Sequence, residues 1–392
     1  MRPQSQAHER RQRHEAERVV RAAEAARGSR QEDIVMGTLK GLPRRWVSAA
    51  AVIVGLTLAP VSVARATAPV VYVSGAGLTD SFGLATDSAN NLYVSDGTNG
   101  NIYKVAPTTP HTLVQIGQVP GGVTGIAIDA AGNVFVVGGI SAPSGVFKLT
   151  LQANGSYSNP VLVRQDSAAA GVAVDQSGNV YYNDYSRFGG DALHKLTLDA
   201  SDPSGNSYTD TIIANGLIQA TETRVDVAGN VYVVENPNGF NVGASSQIDK
   251  FTPGANGTYV KSIIAMPTGS GFVAGLAVDP AGQVVVIGEF QNGNVVQISI
   301  DGSQTQTLIA SGLNDNGHTV ERVALDTFGD VFVANDSPNV YEIVQAVTLP
   351  PNEPGTTTPE LGSGGLLATG LLPIGAILLY RRRSCRQGQH PK

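Results

Sequence analysis

Six times the chain writes nearly the same phrase: GLATDSANNLYVSD from Gly83, GIAIDAAGNVFVVG from Gly125, GVAVDQSGNVYYND from Gly171, ETRVDVAGNVYVVE from Glu222, GLAVDPAGQVVVIG from Gly275 and RVALDTFGDVFVAN from Arg322. Aligned on Asp87, Asp129, Asp175, Asp226, Asp279 and Asp326, the copies recur every 42 to 53 residues. Each copy reads as a hairpin: an apolar run, an Asp-x-x-Gly-Asn turn, then a run rich in Val and Tyr. The Asp is placed to accept turn N–H bonds, and Gly followed by Asn supplies residues that tolerate positive φ. Because that task is local and falls once per copy, the six aspartates read as turn caps rather than as metal ligands.

A third run follows each hairpin, as in NIYKV, LHKLTL and VYEIV, and a fourth closes the first five copies, as in TLVQIG and YVKSIIA. Short strands at this period predict an all-β, six-bladed β-propeller with four-stranded antiparallel blades. The sixth copy has no fourth strand, because a Pro-rich stretch begins after VYEIVQ. The missing strand is assigned to VVYVS, residues 70–74, which would close the ring by joining the last blade and remove its open edge.

The flanks carry different chemistry. Arg44 and Arg45 precede the apolar WVSAAAVIVGLTLAPVSV and then Ala64-Arg65-Ala66, so residues 36–66 read as a secretory signal peptide cut after Ala66. Residues 1–35 read as a charged extension or a start-site artefact, with Met36 as a natural start. The propeller is expected over 67–348, a Pro/Thr-rich linker over 349–362, a transmembrane anchor over 363–380 and a basic cytoplasmic tail over 381–392. This end resembles the tripartite C-terminal sorting signals of bacteria. Thr358-Pro359-Glu360-Leu361 is close to a Pro-Glu-Pro motif without its second proline, and Leu367-Ala368-Thr369-Gly370 echoes Leu-Pro-x-Thr-Gly. The expected location is therefore the cell surface, tethered by the C-terminal helix.

Charge excludes one class of partner. Between Thr67 and Tyr380 the chain holds 9 basic and 26 acidic residues, a surface that repels phosphate backbones, so nucleic acid is not an expected partner. The only cysteine, Cys385, lies outside the repeats, which leaves the body without a disulfide, a thiolate nucleophile or a Cys-ligated metal.

The phrase G-L-A-V-D-x-x-G-N-V-Y-V resembles NHL repeats, and six copies over about 70–346 resemble an NHL-type six-bladed propeller. Copies four and six depart from it, with Glu222 and Arg322 in place of the first Gly and Arg224 in place of an early Ala. Related propellers include metal-dependent lactonases of the gluconolactonase type, amidating lyases and many non-catalytic binding modules. The lactonase resemblance implies Asn, Asp or Glu oxygens converging where the innermost strands open into the channel, around a divalent cation such as Ca²⁺. The residues just before each copy are Phe82, Thr124, Ala170, Thr221, Ala274 and Glu321, of which Glu321 alone is a good oxygen ligand.

A histidine-based site fares no better on sequence grounds. His111 and His194 fall on third- or fourth-strand positions away from the channel, and His318 sits in the loop entering copy six beside Glu321 and Arg322. Glu222 and Arg224, two apart on one strand, read either as a salt-bridged pair between blades or as a charged wall for a polar ligand. In the family, ligands meet the face bearing the second-to-third-strand loops. Here those loops are longest in copies three and four, where Tyr185, Arg187, Phe188 and Phe240 combine aromatic faces with a guanidinium.

The expected function is therefore a ligand-binding or protein-interaction module, with no resident cofactor and no catalytic residue named; its expected partner is a cell-envelope glycan or protein. The alternative is a metal-dependent hydrolase or lyase, a gluconolactonase-like lactonase, on the same fold.

Overall fold

The computed structural model describes residues 68–75, 77–138, 144–186, 189–239, 246–267, 270–314, 317–344 and 347. The calls on 1–66 and on 349–392 lie outside these residues, as do Arg187, Phe188 and Phe240. Strand β1 (Val70–Ser74) leads into blade one, formed by β2 (Ser81–Thr86), β3 (Leu92–Asp96), β4 (Asn101–Val105) and β5 (Val114–Gln118). Blade two is β6 (Val123–Ile128), β7 (Val134–Gly138), β8 (Gly145–Leu149) and β9 (Val161–Gln165); blade three is β10 (Ala169–Val174), β11 (Val180–Asp184), β12 (Asp191–Leu198) and β13 (Tyr208–Leu217). Blade four is β14 (Thr223–Val225), β15 (Val231–Glu235), β16 (Gln247–Pro253) and β17 (Tyr259–Ala265); blade five is β18 (Val273–Val278), β19 (Val284–Glu289), β20 (Asn294–Ser299) and β21 (Gln306–Ala310). Blade six takes β22 (Arg322–Leu325), β23 (Val331–Ala334) and β24 (Asn339–Ile343) from the end of the repeats and β1 from their start, in the order β1-β24-β23-β22.

The ring is thus a six-bladed propeller closed as the repeat count demands. β1 pairs antiparallel with β24, Val70 opposite Glu342 and Ser74 opposite Asn339. Blades six and one are also tied by Thr86 Oγ1 donating to the Leu325 carbonyl at 2.8 Å and by Ser81 Oγ donating to the Asn339 carbonyl at 2.7 Å. Among the described residues no helix is long and apolar enough to cross a membrane.

The recurring Asp does the work its position implies. Asp129 Oδ1 accepts from the Ala131 and Asn133 N–H groups at 2.9 and 2.8 Å, and Asp87, Asp175 and Asp226 repeat the pattern. The following Asn departs from expectation. Only the residue three after the Asp takes positive φ, as at Gly132 (82°) and Gly178 (78°), with Asn90 (59°) filling the place in blade one. The Asn at the fourth position instead donates its side-chain amide to the other carboxylate oxygen, at 2.7 to 2.8 Å in blades one to four. In blades one, three and four a Tyr hydroxyl reaches that same oxygen, from Tyr93, Tyr181 and Tyr232. The cross-strand partners of these rings are Lys104, Lys195 and Lys250, whose ammonium groups lie 5.2 to 5.6 Å from the ring centroids.

Packing is distributed over the seams between blades. Six clusters of buried side chains each draw on two neighbouring blades; Ala127, Phe135 and Val137 of blade two, for example, pack on Val172, Val180 and Tyr182 of blade three. The first glycine of the phrase exists for this seam. A Cβ at Gly171 would stand 2.6 Å from the Thr223 backbone nitrogen and 2.8 Å from the Glu222 Cα of the next blade, and one at Gly125 would stand 2.8 Å from the Ala170 carbonyl oxygen. Backbone there cannot yield as a flexible side chain does, so Gly171→Ala should lower unfolding stability by about 1–3 kcal/mol, the usual range for overpacking. Urea denaturation of the variant and its parent measures this, and an unchanged midpoint would show that the seam is looser than described.

Candidate functional site

Where the first glycine is missing, charge takes its place and meets at the axis. Glu222 sits at the head of the innermost strand of blade four and is 1% exposed. Its Oε1 accepts from Arg224 Nη1 at 2.8 Å, and its Oε2 lies 2.6 Å from Arg322 Nε of blade six. Both guanidinium groups also donate to backbone carbonyls. Arg224 donates to Leu84 of blade one at 3.1 Å and to Val172 of blade three at 3.4 Å. Arg322 donates to Ala274 of blade five and to Thr221 of blade four, each at 3.0 Å, and its guanidinium carbon lies 5.1 Å from the ring centroid of Phe82 in blade one.

Glu222 and Arg224 form the salt-bridged pair, and it extends to a third residue. They form an Arg-Glu-Arg triad across the channel that ties blade to blade, with Arg322 as its third member. Burial pushes the Arg224 guanidinium below its ordinary pKa, and the Arg322 charge adds to that, while Glu222 opposes both.

The triad divides the channel into two chambers. One, of about 160 Å³, lies toward the ends of the innermost strands and is walled by Leu84, Ile126, Val172, Arg224, Ala277 and Leu325 among others. The other, of about 320 Å³, lies at their starts and is walled by Phe82, Tyr185, Phe272, Phe290, Glu321 and Arg322 among others. All six residues that precede the repeated phrase line this larger chamber, so the register read from the repeats also identifies the channel mouth. Phe272 and Phe290 meet edge to face at 5.8 Å.

Glu321 is the carboxyl on the chamber wall. Burial raises its pKa from 4.5 to about 7; Arg322 and a hydrogen bond donated by Thr319 pull downward, and Asp336 and Asp80 push upward. It is thus a carboxyl that can hold its proton near neutrality and donate a hydrogen bond into a largely apolar chamber.

Of the sequence candidates, Tyr185, Glu321 and Arg322 come together at this chamber, Arg224 faces the smaller one, and Glu222 lies between. His318 is half-buried in the loop before β22 and is not part of the chamber wall. His194 is on β12, the third strand of its blade, as expected, whereas His111 precedes β5 and its ring lies 3.9 Å from that of Tyr72. Phe272 and Phe290 were missed by sequence reasoning. Their signal was positional: Phe272 stands two residues before the channel residue Ala274, and Phe290 directly follows the second strand of the same blade.

The divalent cation implied by the lactonase resemblance was tested against these donors. Glu321 is one channel carboxylate, and Glu222 has both oxygens engaged by arginines. The other residues before each phrase are Phe82, Thr124, Ala170, Thr221 and Ala274, and the Thr124 and Thr221 hydroxyls donate to backbone carbonyls. Among the described residues, two guanidinium groups beside the Glu321 carboxyl do not fit a hard divalent cation, which needs six to eight converging oxygens in the case of Ca²⁺.

No family model matches the chain, and no curated protein matches it. Solved structures do. The chain is similar to a gluconolactonase from Xanthomonas campestris at 14% identity and a TM-score of 0.51, over 70% of this chain and 89% of that one. It is also similar to a putative gluconolactonase at 12% identity and a TM-score of 0.53, over 72% and 92% of the two chains. The PQQ-bound form of an aldose sugar dehydrogenase from Streptomyces coelicolor matches at 15% identity and a TM-score of 0.53, over 71% and 98%. At these identities the likeness establishes the shared propeller fold.

Two expectations test the electrostatics. Glu222→Gln keeps the shape but leaves two buried guanidinium groups without their counter-charge, and should cost about 3–5 kcal/mol in chemical denaturation. Glu321 reports through pH. As pH rises from 4.5 towards 7 the unfolded chain releases this proton while the folded chain keeps it, so wild-type stability falls, by up to about 3 kcal/mol, and levels off above 7. Glu321→Gln should remove that component, so the stability difference between variant and wild type should grow across this window and stay flat below it.

Proposed function

We propose that this protein is an NHL-type propeller, exported and held at the membrane by its C-terminal segment, that binds a small neutral ring in the larger chamber. The observation that carries the reading is the chamber itself: about 320 Å³, walled by Phe82, Phe272, Phe290 and Tyr185, with one protonatable carboxyl at Glu321 and an arginine already committed to the protein. Such a site offers ring faces for stacking and a few polar residues for orientation, Glu321 with Ser167 and Tyr185 among them, as small-ligand pockets do. A neutral sugar unit of a cell-envelope glycan fits this chemistry: its C–H face lies on aromatic rings and its hydroxyls meet Glu321. An anionic ligand gains little, because both guanidinium groups are engaged with Glu222 and backbone carbonyls.

The second reading is a hydrolase or lyase on the same propeller. Its support is the fold shared with the gluconolactonases and a carboxyl near pKa 7 in a cleft, the range in which a general acid or base operates. The channel donors argue against a version built on a metal at the axis.

Both readings meet in one experiment on the full chain. Titration with neutral hexoses and N-acetylated hexosamines should raise the thermal midpoint by mass action. Phe290→Ala should weaken that binding by about tenfold, the cost of losing an aromatic anchor. Incubation with sugar lactones, followed by acid release, reads the enzyme. Turnover that Glu321→Gln abolishes would replace the binding reading with the catalytic one, and neither binding nor turnover would remove both.

A further inference from the structure

Beside the channel, where blade two passes into blade three, acidic side chains gather around a histidine. Asp166 follows β9, Asp184 ends β11 and His194 lies on β12; one ligand atom of each lies within 4.8 Å of the others, the one such group of three among the described residues. The imidazole is buried, 5% exposed, and stacked on Tyr182 with ring centroids 4.5 Å apart and planes 11° from parallel. Its Nδ1 faces the Asp210 carboxylate, 3.1 Å from Oδ1, and Asp210 is itself held by Arg164 Nη2 at 2.8 Å. Against the lowering effect of burial, Asp184 and Asp210 raise the imidazole's pKa, and in the neutral ring a proton on Nδ1, donated to Asp210, places the lone pair on Nε2.

Nε2 is buried without a hydrogen bond, and so is Asp184 Oδ1. Nε2 stands 3.5 Å from Asp184 Oδ2, so with the neutral ring a nitrogen lone pair and a carboxylate oxygen face each other. Asp166 completes the rim, positioned by its Oδ1 accepting from the Ala168 N–H at 2.9 Å and its Oδ2 accepting from the Tyr182 hydroxyl at 3.2 Å. Such a pair is satisfied by a cation between its members, either a proton on Nε2 or a metal ion. A proton on Nε2 supplies one charge. With Asp210 and Arg164 cancelling, Asp166 and Asp184 present two negative charges, which a divalent ion balances and a proton does not.

We propose that Asp166, Asp184 and His194 form a binding site for a divalent transition-metal ion of the Zn²⁺ class, with Asp210 as the positioning residue that fixes the imidazole tautomer. One imidazole nitrogen and two carboxylates suit Zn²⁺ or Co²⁺ better than Mg²⁺ or Ca²⁺, which prefer all-oxygen shells. The carboxylate–imidazole–metal arrangement, here extended by Arg164, is the usual way a protein orients a ligating histidine. Three protein ligands leave a coordination position for water or another molecule. The site stands at the edge of the larger chamber, since Asp166 directly precedes Ser167 and Asp184 directly precedes Tyr185, both of which line it. The metal site does not depend on what that chamber binds.

The test uses the full chain, stripped with chelator and titrated with Zn²⁺ by calorimetry and with Co²⁺ by visible absorption. One equivalent is expected to bind, with ligand-field bands appearing for Co²⁺. Asp184→Asn, Asp166→Asn and His194→Gln should each abolish that equivalent and the bands. Asp210→Asn should weaken binding by about 10- to 100-fold. Asp249→Asn, in the third strand of blade four, should leave it unchanged. Three ligand variants are used so that one that fails to keep its β-sheet circular dichroism does not decide the result. Absence of stoichiometric binding by the wild type would overturn the proposal, as would binding that survives in all folded ligand variants; Nε2 would then carry a proton between the two aspartates.

Discussion

The ring depends on how closely the innermost strands approach one another. At Gly125, Gly171 and Gly275 the neighbouring blade's backbone occupies the space where a side chain would begin. That approach brings the apolar faces of adjacent sheets together along six seams, so no single core carries the fold and every blade is stabilised by both neighbours. A structure held this way must close, because an open ring would expose two apolar faces and a sheet edge. β1 and β24, from opposite ends of the repeat region, close it.

The same geometry makes the axis a narrow space in which a long side chain from one blade reaches the others. Replacing glycine by Glu222 and Arg322, and an alanine-like position by Arg224, puts charge where only backbone carbonyls and a counter-charge can satisfy it. The arginines use both, touching blades one, three, four, five and six. A buried triad of this kind is weak evidence for added stability, since desolvation offsets much of the attraction. Its visible consequence is geometric: it stands between two chambers of the channel, the larger with aromatic walls and the Glu321 carboxyl.

Local rules made much of this readable in advance. Period and turn chemistry sufficed for blade number and strand count, because each rests on neighbours in sequence, and the absence of a fourth strand after VYEIVQ left β1 as the one strand to close the ring. The channel mouth was also legible: the position before each phrase lands on the chamber wall in all six blades. The turn asparagine was misread, since positive φ and side-chain capping favour the same residue type and only coordinates separate them. The reach of Glu222 to Arg322, 100 residues apart, was not legible, because a strand pattern states which face a side chain takes and not what stands opposite across a ring.

The sequence by itself determined a six-bladed, turn-capped ring and the residues that front its channel, since hydrophobic alternation and the Asp-x-x-Gly turn act within a few residues of chain. Only the tertiary structure decided that the channel is divided, that Phe272 and Phe290 join Phe82 in one chamber, and that His194 meets Asp166, Asp184 and Asp210. Those meetings depend on the curvature of the ring and on which rotamers its seams permit, and both are set by all six blades together.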